Sequence, residues 1–152
     1  MTERRRKHIR LPRETYAIPS QIFSITICTQ DRQPLFQNEI WAKFLFSSLN
    51  TGPLQKQAEQ YACCVMPDHL HLLIAPGKGN LVNLLNAWKG YTAHFLKKEG
   101  PKGPCWQRGF YDHALRKEED IQRVAEYIVN NPVRKGLVED WRDYPFSWHR
   151  WM

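Results

Sequence analysis

No run in this 152-residue chain is apolar for long enough to cross a bilayer. Its first residues, MTERRRKHIR, carry charge where a secretory leader would carry an apolar core. A membrane role is therefore not expected, and the chain reads as soluble and cytoplasmic, with nucleoid association anticipated from its charge. Cysteine is sparse: Cys28, Cys63, Cys64 and Cys105 form neither a C-x-x-C pair nor a zinc-ribbon spacing. That sets aside a cysteine zinc site, and the four read as small apolar residues in a reducing compartment. Acidic residues are few, 15 Asp and Glu against 22 Lys and Arg. Internal repeats are missing, as is the K/R-G-F/Y-x-F aromatic motif of RRM-type RNA binders.

What is present suits a polyanion. A formal charge of +7 on one domain-sized chain is the electrostatic footprint of a nucleic-acid partner. Six Trp, six Tyr and seven Phe add aromatic faces on which unpaired bases stack, so single strands are favoured. Residues 1–152 read as a single domain, with a basic arm at 1–13 that includes Arg4, Arg5 and Arg6. Alternation predicts strands at 18–29, 57–66, 69–75 and 109–115. Helical periodicity predicts helices at 38–49, opening on Asn38 as N-cap, at 81–98 and at 117–132. A Gly- and Pro-rich loop covers 99–105. The tail, 137–152, holds Trp141, Tyr144, Phe146, Trp148 and Trp151, enough aromatics to pack on the body. The order β-α-β-β-α-β-α predicts an α+β fold of ferredoxin-like (RRM-like) type, one antiparallel sheet with helices on one face.

Chemistry concentrates in MPDHLHLLI, residues 66–74. On a strand, positions i and i+2 share a face, so His69 and His71 project the same way roughly 6–7 Å apart. Two such imidazoles are most of a divalent metal site, although the pair alone does not separate that from two solvent-facing histidines. In the 117–132 segment, Ile121, Val124, Ala125, Ile128 and Val129 form the apolar stripe, and Glu118, Glu119 and Asp120 are assigned to the first turn. Tyr127 and Asn131, four residues apart, stand one turn apart on an adjacent face. Tyr111 is the rival hydroxyl nucleophile. Trp106 is assigned to either a base stack or the core, and Tyr91 with His94 to packing or DNA contact. Phosphate contacts are expected from Lys89, Lys97, Lys98, Arg108, Arg116 and Arg134 as a group.

Four separated motifs, TICTQDRQPLF (26–36), VMPDHLHLLI (65–74), WQRGFYDHALR (106–116) and YIVNNPVRKGLV (127–138), occur in an order that resembles the HUH single-tyrosine transposases, specifically their REP-associated branch. The resemblance implies that His69, His71 and Asn131 hold a divalent metal, Mg²⁺ or Mn²⁺, and that Tyr127 is the nucleophile. Many relatives carry Gln at the Asn131 position, and many carry Asn where this chain has Asp68. Asp68 is a candidate partner behind the metal-binding histidines, with a hairpin cap preferred, and His113 is a candidate general base, because a free phenol ionises only near pH 10. The implied activity is cleavage and transfer of single-stranded DNA beside imperfect, REP-like hairpins through a 5′-phosphotyrosine link, with monomer and homodimer both open. The alternatives are a non-catalytic nucleic-acid-binding module, such as a domesticated relative or RNA binder, and a hydrolase that uses water.

Overall fold

The computed structural model describes residues 11–100 and 103–152. Five strands, β1 (Phe23–Cys28), β2 (Glu59–Met66), β3 (His69–Ala75), β4 (Tyr111–Ala114) and β5 (Ser147–His149), form one sheet in the order β4-β1-β3-β2-β5. Every neighbouring pair is antiparallel. The first four strands, with α1 (Glu39–Thr51) between β1 and β2 and α2 (Leu81–Glu99) between β3 and β4, give the expected ferredoxin-like arrangement. Asn38 caps α1 as anticipated, its side-chain oxygen accepting from the Ile40 and Trp41 N–H groups.

One face of the sheet is the main core. Phe23, Ile25, Ile27, Leu70, Leu72 and Ile74 pack there against Leu45, Leu49, Leu85 and Trp88 of α1 and α2. Trp88 is wholly buried and satisfies its indole N–H on Ser48 Oγ at 2.9 Å. Trp106 joins this core beside Phe36 and Trp88 and donates to Thr92 Oγ1, which settles it as a packing residue.

The expectation of helices on one face needs an addition. The 117–132 segment is two pieces, α3 (Ile121–Val129) and α4 (Asn131–Arg134), and α3 packs Ala125 and Ile128 on the opposite face, against Ala62, Cys64, Met66 and Leu73. Helix α3 starts later than predicted because Asp120 is its N-cap, accepting from Gln122 and Arg123 N–H. Glu118 and Glu119 therefore precede the helix, and Glu119 turns back to accept from Arg116 N–H. Pro132 does not end the helical path. It lies in the first turn of α4, where its missing N–H breaks no helical bond.

The tail extends the sheet. β5 pairs with β2, and the Tyr144 hydroxyl donates to the Val65 carbonyl. The predicted first strand shortens to Phe23–Cys28. Of the basic arm, residues 1–10 and with them Arg4, Arg5 and Arg6 lie outside the described residues, while Leu11 packs against the core.

Candidate active site

A two-residue hairpin, Pro67-Asp68, joins β2 to β3 and fixes the register Met66↔His69 and Cys64↔His71. On the other side β1 pairs Cys28 with His69 and Thr26 with His71. Directly opposed residues share a sheet face, so both histidines lie on the face that α3 partly covers. Their ring centroids are 4.9 Å apart with planes at 81°.

His69 is buried, and its Nδ1 meets Asp68 Oδ1 at 2.7 Å. The other carboxylate oxygen of Asp68 accepts from Arg32 Nε at 3.0 Å. A carboxylate can only accept here, so Nδ1 carries the proton and Nε2 keeps its lone pair. Of the two readings of Asp68, a hairpin cap or a partner behind the histidines, the contacts are those of the second: its carboxylate meets His69 and Arg32. Arg32 and Asp31 both adopt left-handed backbone, φ 54° and 56°. For residues with a Cβ this costs roughly 1–2 kcal/mol each, and the Arg32–Asp68 pair helps to hold the turn. On the second histidine, Nδ1 lies 3.3 Å from Thr26 Oγ1.

Burial holds both imidazoles neutral. It lowers His69 despite the opposing Asp68 carboxylate, and it pushes His71 down to about 3, helped by His69 and Arg134. Burial alone would raise Asp68, but hydrogen bonds from His69 and Arg32 outweigh it and keep the carboxyl below its ordinary range.

From the opposite side α3 and α4 bring the remaining groups. Asn131 is buried at the start of α4, with Nδ2 3.4 Å from His69 Nε2. Tyr127, one turn earlier, is 64% exposed, and the Arg134 guanidinium lies over its ring at 3.6 Å from the centroid. The turn of separation survives the helix break at Asn130, because the Asn130 N–H still bonds to the Glu126 carbonyl. Among the described residues no three His, Cys, Asp or Glu side chains converge on a metal-sized site. A cation here would rest on two neutral imidazoles and the Asn131 amide. The amide's O and N are exchangeable by a 180° turn, which would offer Oδ1 beside His69 Nε2. Two nitrogens and one oxygen fit a six-coordinate divalent ion that keeps open positions.

The other predicted residues separate. Tyr111 pairs with Thr26, so it shares the histidine face one strand beyond β1. His113 is exposed on β4 and its Nε2 bonds to Glu119 Oε1 at 3.0 Å. Lys89 is corrected: its ammonium donates to the Gln107 and Gly109 carbonyls at 2.8 and 2.9 Å, clamping the segment before β4 instead of facing solvent. Lys97, Lys98, Arg108 and Arg116 are exposed, as are Tyr91 and His94. Two contributors were not singled out from the sequence: Arg32, placed by its left-handed turn, and Thr26, identified only by strand register.

A chain from Haemophilus influenzae named "Putative REP-associated tyrosine transposase" is 29% identical over 142 residues, covering 85% of this chain and 80% of that one. The REP-associated tyrosine transposase of Escherichia coli K12 is 33% identical over 90 residues, 59% of this chain and 53% of its own. A solved REP-associated tyrosine transposase bound to a REP hairpin superposes with a TM-score of 0.68 at 25% identity, covering 97% of this chain and 82% of that one. The family model described as "Transposase IS200 like" matches residues 18–131, which span β1 through the Tyr127–Asn131 turn. With strands β1 to β4, the histidine pair and the Tyr127 helix all inside that match, this chain belongs to the IS200-like transposase family.

Proposed function

We propose that the chain is a metal-dependent single-stranded DNA endonuclease and strand transferase that works beside imperfect hairpins through a 5′-phosphotyrosine intermediate. The observation that carries this reading is the convergence of His69 and Asn131 across 62 residues of sequence, with Tyr127 one turn from Asn131 and open to a polymer. The relative solved with a REP hairpin supports the choice of partner, and the exposed cations of a +7 chain suit its phosphates.

Each residue has a separate task. The Tyr127 hydroxyl oxygen attacks phosphorus, the new O–P bond replaces the bond to the 3′-oxygen, and that oxygen leaves as a 3′-hydroxyl. The phenolic proton passes to solvent or a nearby base. Arg134, stacked on the ring, holds the tyrosine in place and offers a positive charge to the incoming phosphate. His69, His71 and Asn131 would hold Mg²⁺ or Mn²⁺, which when bound supplies Lewis-acid withdrawal of charge from the scissile phosphate. Asp68 and Thr26 fix the two imidazoles so that neither rotates away. Because the link to Tyr127 retains the phosphodiester's energy, a different 3′-hydroxyl can displace the tyrosine without ATP.

Trapping tests the reading directly. Labelled hairpin-bearing single strands are mixed with protein and Mg²⁺ or Mn²⁺, then run on denaturing gels beside Tyr127→Phe, Tyr111→Phe and His69→Ala. The expected result is a metal-dependent shifted band that survives only in Tyr111→Phe. Cutting without an adduct, undiminished in Tyr127→Phe, would transfer the role to water. Tight binding with no cut for any hairpin would leave a binding module.

A further inference from the structure

Beside α3 lies a cavity of about 700 Å³, lined by neither His69 nor His71, that the mechanism does not use. Its lining includes Glu126, Asn130, Trp141, Arg142, His149 and Trp151. Three rings form a series along it: Trp141 to His149 at 5.3 Å between centroids, and His149 to Trp151 at 6.4 Å. His149 is only 5% exposed. Its Nδ1 accepts the Trp151 backbone N–H at 3.1 Å, so the proton of the neutral ring is on Nε2. Among the described residues that N–H has no acceptor, so solvent or a ligand in the cavity must supply one. Burial keeps the ring neutral, against the pull of Glu126 nearby. Glu126 accepts from the Gln122 amide on one carboxylate oxygen and leaves the other open, and Arg142, paired with Asp140, sits over Trp141 at 5.4 Å.

Aromatic faces, a stranded N–H donor, an open carboxylate and a guanidinium together describe one kind of ligand. A greasy side chain or a lipid would cover the His149 donor without pairing it. We propose that this cavity is a nucleobase pocket, which takes one unpaired base of the DNA strand onto the Trp141–His149–Trp151 ring series. A ring nitrogen or carbonyl of that base accepts from His149 Nε2, and an amine or imino N–H on the same edge meets Glu126. Arg142 takes the adjoining phosphate. The placement follows helix geometry: Glu126 and Asn130 occupy one face of the α3 turn, and Tyr127 and Asn131 occupy the next, about 100° round. The base seated in the pocket thus belongs to a nucleotide close to the one cut. The inference rests on the reading of Tyr127 as a strand-cleaving residue only for this last point.

Binding, not cutting, is the readout. Short unstructured oligodeoxynucleotides, one homopolymer per base, are titrated by anisotropy and by tryptophan quenching against the full chain and against Trp141→Ala, Trp141→Phe and Glu126→Gln. Ultraviolet cross-linking of 5-iododeoxyuridine-substituted strands then maps the contact by mass spectrometry. Expected are an affinity loss of about tenfold for Trp141→Ala, near-native binding for Trp141→Phe, a changed order of preference among bases for Glu126→Gln, and cross-links on Trp141 or Trp151. Unchanged affinity and preference in the variants, with cross-links only elsewhere, overturns the pocket. If Trp141→Ala fails to fold, Glu126→Gln, exposed and outside the core, decides the matter with the cross-links. Adduct formation by the native chain is scored separately. Its absence alongside weakened pocket variants would sink the cleavage reading and leave the pocket, and its presence alongside indifferent variants would do the reverse.

Discussion

Removing the carboxylate of Asp68 is the sharpest test of how the histidine pair is held. In Asp68→Ala, His69 Nδ1–H loses its 2.7 Å acceptor. The ring is then free to rotate or to move its proton to Nε2, the nitrogen that faces Asn131. Loss of such a carboxylate–histidine contact lowers metal affinity by about tenfold to a hundredfold, which is about 1.4–2.8 kcal/mol. Asp68→Asn keeps an oxygen acceptor of the same reach but no charge, so it should fall between native and Ala. Arg32→Ala acts only through Asp68 from a half-exposed position and should cost much less. Mn²⁺ binding, followed by electron paramagnetic resonance or calorimetry without DNA, reads affinity apart from turnover. Equal Mn²⁺ affinity in Asp68→Ala and native protein would refute the orienting role, and an affinity for Asp68→Asn below that of Asp68→Ala would refute the reason given for it.

Three further outcomes are expected. Stability should fall as the medium is acidified below pH ~6.5, because the unfolded His71 takes up a proton there while the folded one resists until about 3. The slope is about 1.4 kcal/mol per pH unit for that one residue, so denaturant titrations at successive pH values should flatten in His71→Gln. Trp106→Ala should lower unfolding free energy by about 3–5 kcal/mol, with any loss of DNA binding tracking loss of fold in circular dichroism. Lys97→Ala with Lys98→Ala should reduce the salt dependence of DNA binding at unchanged melting temperature, whereas Lys89→Ala should lower the melting temperature by releasing the Gln107 and Gly109 carbonyls.

The parts of the fold legible in sequence are those set by local chemistry. The Pro-Asp turn and the alternation after it define β3 at its observed ends, and Asn38 announces α1 because its side chain is the natural partner for two free N–H groups. The start of α3 was harder: Glu118, Glu119 and Asp120 are all acceptable near a helix N-terminus, and the choice of Asp120 depends on Glu119 being drawn to Arg116 N–H. β5 is three residues long, too short for a period to register, and exists because β2 offered an unpaired edge. Within the site, the like-facing histidines follow from strand geometry and the Tyr127–Asn131 spacing from the helix. That the two sets meet is a long-range event, as is the capture of Lys89 by two carbonyls. Neither leaves a mark in residue spacing.

The short outer strands have a further consequence. β4 and β5, the two margins of the sheet, are only four and three residues long. Each therefore presents too few unpaired backbone groups to template a neighbouring chain. Margin-to-margin zipping of two copies is thereby disfavoured.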